Sequence, residues 1–326
     1  MIVSCVSNSA IALLGKDEKF LIKAISAVDK KRWRAARMYS SKIDDTLSKK
    51  YINWLLFNST IQNVNFEEIR TFLSVNPNWP YQKKMRHTLE AVMDAGIEAQ
   101  KAVSWFKEHE PVSSAGWTNY ARALFSLGDI KKATEIVKKN WINGNFSKAE
   151  ERYFYKRFRK YLTKKDHIRR IDRLLWEGRY WPVRRMLYKV PKDWRHLAEA
   201  RYSLRQRTGN VDTLIKKVPS HLKGDPGLAY ERLRWRRKKK LNSASNILHK
   251  MPNKMVYPEL WWKERSIIAR RALRKGRISD ALKFISEHGL TGGVEFAEAE
   301  WLAGWINLRF LKESRTALFH FKKMFL

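Results

Sequence analysis

The chain is interrupted at a nearly fixed interval. From its middle onward, segments with a helical apolar period are broken at Gly128-Asp129, Glu177-Gly178, Gly209-Asn210, around Lys240, at Gly276 and at Lys312-Glu313-Ser314. The last five breaks stand roughly 30 to 37 residues apart, the interval of helix-turn-helix repeats such as the tetratricopeptide type. A pair of helices that size cannot bury its apolar stripe alone, so a chain with this rhythm folds by stacking one hairpin on the next. A small residue follows several breaks by about one helical turn: Ala133, Ala244, Ala281 and Ala317, with Ala35 and Ala36 in the similar stretch Asp29 to Tyr39. A short side chain there lets antiparallel helices approach closely. In the final pair Ala297, Trp301, Trp305 and Leu308 recur at steps of three and four and are expected to form the buried stripe, continued by Ala317, Phe319, Phe321 and Phe325. Pro182 directly after Trp181 suits the first turn of a new helix. Sustained two-residue alternation is missing, and 14 Gly and 9 Pro in 326 residues leave little material for tight β-turns.

The expected fold class is therefore all-α: a superhelical α-solenoid of antiparallel helix hairpins, tetratricopeptide-like, without a β-sheet. Residues 16–326 are read as a single superhelical domain with a soft subdivision near 160. For residues 1–15 two readings stand side by side, a remnant export signal and a plain disordered N-terminus. Ala10-Ile11-Ala12 resembles a signal-peptidase site and Ile2-Val3-Ser4-Cys5 a lipobox, but a basic start and a full apolar stretch are missing.

Charge says what such a scaffold would meet. With 67 Lys and Arg against 32 Asp and Glu the net charge is +35, which attracts anionic polymers. Residues 151–240 carry 29 basic and 9 acidic side chains, a surplus of 20 in under a third of the chain. Two stretches interleave cations with aromatic rings, Tyr153 to Lys160 (YFYKRFRK) and Arg232 to Lys240 (RLRWRRKKK), a pattern that binds polyanions through Lys and Arg while rings stack on bases or sugars. The competing reading is a solvated helix face whose aromatics point inward. Trp33, Trp176, Trp181, Trp235, Trp301 and Trp305 are read as packing residues. The candidate ligand-binding set is Arg232, Arg234, Arg236, Arg237, Trp261, Trp262 and Arg265.

Chemistry is harder to find. Glu67-Glu68 and Asp44-Asp45 read as helix-start charges. The eight histidines form no His-Glu-x-x-His zinc pattern, the single Cys5 excludes an intramolecular disulfide, and no phosphate-cradling Gly-x-x-x-x-Gly-Lys loop occurs. No cofactor, metal or membrane span is expected.

From about Leu174 onward the sequence resembles the superhelical N-terminal region of the soluble lytic murein transglycosylases. The stretches that carry the resemblance are LLWEGRYWPVRRML, VPKDWRHLAEARYSL, DPGLAYERLRWRRKK, WWKERSIIARRALRKG and EHGLTGGVEFAEAEWLAGWINLRFL, of which Phe296 to Leu311 is the most specific. Residues before about 160 agree only in helical style and in pieces such as GDIKKATEI. The resemblance implies a ring- or crescent-forming superhelix working on peptidoglycan in the periplasm. There the family cleaves the bond between N-acetylmuramic acid and N-acetylglucosamine to leave a 1,6-anhydromuramoyl end. It also implies that the chemistry sits in a separate lysozyme-like domain. The family's catalytic glutamate lies in a Glu-Ser pair followed by Gly-Leu-Met-Gln; here Glu313-Ser314 falls in a turn of the repeat pattern, with about twelve residues after it and no Gly-Leu-Met-Gln. The expectation is a scaffold inactive by itself that binds peptidoglycan or another anionic polymer, or docks a separate catalytic domain or protein. A cytoplasmic basic solenoid binding nucleic acid or a protein partner is the alternative.

Overall fold

The computed structural model describes residues 15–93, 96–250 and 256–324; the expectations about the N-terminal segment, with Cys5, and about Phe325 lie outside them. Among the described residues all regular structure is helical. The chain divides into two compact units, one up to Leu162 and one from Thr163.

The first unit contains α1 (Lys16–Asp29), α2 (Trp33–Ser40), α3 (Thr46–Ser59), α4 (Phe66–Val75), α5 (Gln82–Val92), α6 (Ala99–Glu108), α7 (Ser114–Ser126), α8 (Ile130–Asn143) and α9 (Lys148–Phe158). Helices α1, α3, α5 and α7 pack in succession as one layer, and α2, α4, α6 and α8 pack beside them. Local chemistry sets the starts: Asp45 accepts from the Ser48 N–H at α3, Asn65 and Glu68 cap each other's backbone at α4, and Ser147 and Glu150 do the same at α9. The acidic pairs at Asp44-Asp45 and Glu67-Glu68 thus sit at helix starts. Glu68 further takes both guanidinium nitrogens of Arg37 in α2, at 2.6 and 2.8 Å.

The second unit contains α10 (Lys164–Glu177), α11 (Tyr180–Met186), α12 (Lys192–Gln206), α13 (Val211–Lys216), α14 (Pro226–Lys238), α15 (Ser245–Leu248), α16 (Pro258–Arg274), α17 (Ile278–Ser286), α18 (Gly293–Ile306) and α19 (Ser314–Lys323). Here α10, α12, α14, α16 and α18 stack in order, each paired with the shorter helix that follows it.

The breaks seen in the sequence are one repeated turn. At Lys31, Gly128, Gly178, Lys240 and Gly276 the backbone enters the left-handed region, with φ of 56, 81, 71, 58 and 71°. The following N–H then reaches back five residues: Arg32 to Ala27 at 2.8 Å, Asp129 to Leu124 at 3.0 Å, Arg179 to Leu174 at 2.9 Å, Leu241 to Arg236 at 3.0 Å and Arg277 to Ala272 at 2.9 Å. This is the Schellman closure, which satisfies carbonyls that a helix end otherwise leaves bare. Arg207 and Lys312 also adopt left-handed φ, 60 and 61°. Because the next helix begins within a residue or two, each turn folds the chain back on itself. The small residues behind the turns are enclosed: Ala36, Ala133, Ala244, Ala281 and Ala317 are all buried.

One stripe is phased differently from the expectation. In α18 the buried positions are Ala299, Leu302, Ala303 and Ile306, while Trp301 and Leu308 are exposed and Trp305 is partly so. The helix is apolar on nearly every side, so its period gives no unique inner face. Glu300, on the side toward α19, is the buried hub of the last hairpin. It accepts from Lys323 Nζ at 2.8 Å and lies 2.6 Å from His320 Nδ1 and 3.3 Å from His288 Nε2.

Candidate functional site

Successive long helices of the second unit are joined by arginine-carboxylate rungs, two of them buried and the first and last partly or wholly open to solvent. Asp172 of α10 meets Arg201 of α12 at 2.5 Å, Arg205 of α12 meets Glu231 of α14 at 2.7 Å, Arg237 of α14 clasps Glu264 of α16 through two nitrogens, and Arg270 of α16 meets Glu298 of α18 at 2.7 Å. The partners are 29, 26, 27 and 28 residues apart. A near-constant offset means that neighbouring long helices run parallel and in register, so their C-terminal turns line one edge of the unit. The edge is tied from turn to turn: Arg205 donates to the Leu175 and Trp176 carbonyls at the end of α10, and Arg271 to the Arg237 carbonyl at the end of α14. These guanidinium groups also meet the negative ends of the helix dipoles.

The rungs decide where the sequence-predicted site residues go. Trp261, Trp262 and Arg265 of α16 are interior, with exposures of 0, 1 and 1%. Trp261 packs edge-on against Tyr230, Trp262 donates to Glu298 at 2.8 Å, and Arg265 donates to the Phe284 carbonyl at 2.9 Å. Their ring faces and guanidinium are already occupied, so a ligand arriving from solvent cannot reach them, and they are corrected to packing residues. Arg237 is committed to Glu264, and Arg236 donates to the Ser243 carbonyl at 3.4 Å. Arg232 is half-buried, and burial together with the neighbouring Arg236 lowers its pKa. Arg234 lies 3.7 Å from Glu231 and faces outward in part.

What reaches solvent is the C-terminal end of this helix. Arg234 is the chief cause of a lowered Lys238 pKa, ahead of burial and with Arg207 and Arg237 adding to it, so these cations crowd one another. Arg207, Lys238, Lys239 and Lys240 are exposed and form no ion pair among the described residues. Like charges gathered in this way raise the local positive potential. Of the earlier stretch around Tyr153, Phe154 packs inward on Trp141 and Phe158 on Phe154, while Tyr153 and the basic residues Lys156 and Arg157 face out.

The second surface feature includes Trp181, which the sequence pattern suggests is a packing residue. Trp181 and Tyr188 are 64 and 80% exposed. Arg184 stands over the Trp181 ring at 5.8 Å, and Arg195 over the Tyr188 ring at 5.0 Å. The signal was available in the spacing: Val183, Met186 and Val190 at steps of three and four are buried, which turns Trp181, Arg184 and Tyr188, on the same steps, outward.

The buried carboxylates serve the fold. Glu90 in the first unit is fully buried, and burial raises its pKa. Its oxygens accept from the Val112 and Ser113 N–H groups at 2.7 and 2.8 Å and from the Ser113 hydroxyl, so it caps α7 from another helix and has no approach for a substrate. A Cβ on Gly116 would overlap its carboxyl group, which is why α7 carries glycine there. In the second unit burial also raises Glu231, against the pull of Arg205, and it serves as a rung. Glu313-Ser314 forms the start of α19. No group of three or more His, Cys, Asp or Glu suited to a metal ion occurs among the described residues, and no helix there is long and apolar enough to cross a membrane.

Fold and surface together define an all-α repeat protein with a cationic edge. Among solved structures it is similar to the 70-kDa soluble lytic transglycosylase Slt70 from Escherichia coli, with a TM-score of 0.54 at 13% identity over 93% of this chain and 55% of that one. A complex of the 70-kDa soluble lytic transglycosylase with bulgecin A matches over the same shares at 13% identity, with a TM-score of 0.48. The chain therefore spans about half the length of the transglycosylase it matches. No protein-family model matches the sequence, and no curated protein does. At this identity the likeness establishes the shared helical superhelix fold.

Proposed function

We propose that this chain is a helical scaffold that binds peptidoglycan in the periplasm during cell-wall turnover, the glycosidic chemistry belonging to another domain or protein. The observation that carries the reading is the exposed cation cluster of Arg207, Lys238, Lys239 and Lys240 at the turn edge of the second unit. Carboxylates of peptide stems on a glycan strand suit it by charge. The resemblance of the sequence to lytic murein transglycosylases and the fold shared with one of them support the choice of polymer.

Purified sacculi test it in a sedimentation assay at rising ionic strength. The protein is expected to sediment with sacculi at low salt and to be released as salt is added, because exposed charges are screened beyond about 10 Å at 0.1 M. A triple variant Arg207→Ala, Lys238→Ala, Lys240→Ala should be released at lower salt. No retention at any salt overturns the reading. So does retention abolished by a modest excess of duplex DNA together with nucleoid recovery on cell fractionation, which would assign the cations to phosphates.

A further inference from the structure

The aromatic surface formed by α11, the turn after it and the start of α12 carries more than charge. We propose that Trp181, Arg184, Tyr188 and Arg195 form a stacking subsite for two sugar rings of an acidic glycan, an inference that rests on the reading of this chain as peptidoglycan-binding. Two of the largest apolar side chains of the second unit stand in water although Val183, Met186 and Val190, from the same ten residues, are buried. Trp181 stands in the first turn of α11 and Tyr188 in the turn just past its end at Met186, and with Val183, Met186 and Val190 turned inward both rings lie on the outer side of this segment, one for each of two sugar rings.

Both rings are held in place. Tyr180 packs edge-on against Trp181 at 4.8 Å and stacks at a tilt on Tyr202 of α12 at 5.1 Å, anchoring the start of α11 to its neighbour. Arg195 donates from Nε to the Leu187 carbonyl at 2.9 Å, which fixes its guanidinium over Tyr188. Rings positioned before a ligand arrives lose little freedom on binding. An aromatic face suits the C–H face of a pyranose, and the guanidinium nitrogens around each ring are donors for a carboxylate. A duplex nucleic acid offers no open ring to this spacing, and a purely apolar partner would leave both arginines without counter-ions. The recognised ligand is a β-linked hexosamine strand with a carboxylate substituent, as in N-acetylmuramic acid.

The test uses the full chain and two soluble probes: uncharged chitotetraose, and a tetrasaccharide alternating N-acetylglucosamine and N-acetylmuramic acid. Saturation-transfer NMR and calorimetry read binding. Both probes should bind, the carboxylated one at least several-fold tighter. Trp181→Ala with Tyr188→Ala should weaken both by tenfold or more, about 1.4 kcal/mol for each factor of ten. Arg184→Gln with Arg195→Gln should keep chitotetraose and lose the preference. The substituted side chains lie on the surface, so the circular dichroism spectrum should stay that of the parent. Failure of both probes to bind the parent, or equal binding to the aromatic double variant, overturns the subsite. If sacculi are nonetheless retained, the cationic edge alone binds the wall and the proposed function stands without it.

Discussion

The Arg237-Glu264 rung between α14 and α16 offers the sharpest test of how the second unit is held together. Glu264 is 1% exposed and the Arg237 side chain 14% exposed. Replacing Arg237 with Met leaves a carboxylate out of water with no counter-ion. At an effective dielectric of about 20 a unit pair at about 4 Å is worth about 4 kcal/mol, and removing one member of a buried pair costs about 3–5 kcal/mol. For a unit of this size each kcal/mol moves Tm by roughly 2–4 °C, so the transition of the second unit should fall by about 6–20 °C. The double change Arg237→Met with Glu264→Leu removes both charges and fills the space with apolar groups, and it should recover most of the loss. Thermal unfolding followed by circular dichroism gives the shift. Amide exchange across Pro226–Lys238 and Pro258–Arg274 shows where it originates. A single variant within about 1 kcal/mol of the parent, or a double variant as unstable as the single, refutes the view that an unpaired buried charge carries the cost.

Three further outcomes follow from the geometry. Gly227→Ala should cost about 2 kcal/mol or more in urea unfolding, since a Cβ there would overlap the Arg201 guanidinium and dislodge it from Asp172 and Asp225. Lys31→Gly should be neutral or stabilise by up to about 1 kcal/mol, because glycine adopts the left-handed turn without the Cβ strain that lysine bears there. The α18–α19 hairpin should loosen in acid: burial lowers the His288 pKa from 6.5, so its contribution is present above 6.5 and is lost as pH falls toward the lowered value. Glu300, whose pKa is lowered by hydrogen bonds from Lys323, His320 and His288 against its burial, adds a second loss below 4.5. Amide exchange over Ser314–Lys323 between pH 7 and 4 reads this, and exchange that ignores pH would contradict it.

Where the sequence was legible, the signal was local. A left-handed turn shows itself as glycine or a break in period, and the close helix contact after it as alanine, so Gly128, Gly178, Gly276, Ala133 and Ala281 could be read without coordinates. Lys31 takes the same turn without a glycine to announce it, and Lys240 shows only as a break in the period. The misphased stripe of α18 has another cause, since a helix with Ala, Leu, Trp and Ile around its whole circumference has no periodic inner face. Arg237 of α14 was illegible because its partner Glu264 lies in the next long helix, 27 residues away, where a local window sees only positive charge. Recurring offsets of 26 to 29 residues from Arg205, Arg237 and Arg270 to Glu231, Glu264 and Glu298 were present in the sequence and would have separated committed arginines from available ones. Trp261 and Trp262 suit a sugar-stacking site by residue type, and type does not report burial.

The order of charges along the rungs bears on how such a molecule can change length. Helices α14 and α16 each carry an acid in the second turn that looks back and an arginine near the end that looks forward, whereas α12 carries arginine toward both neighbours. A duplicated copy of the α14 hairpin, spliced in behind the original, would find Arg237 facing Glu231 and could seat at once. A duplicated α12 hairpin would set Arg205 against Arg201 and repel itself. Lengthening by tandem duplication is thus open on one side of α12 and closed at α12 itself.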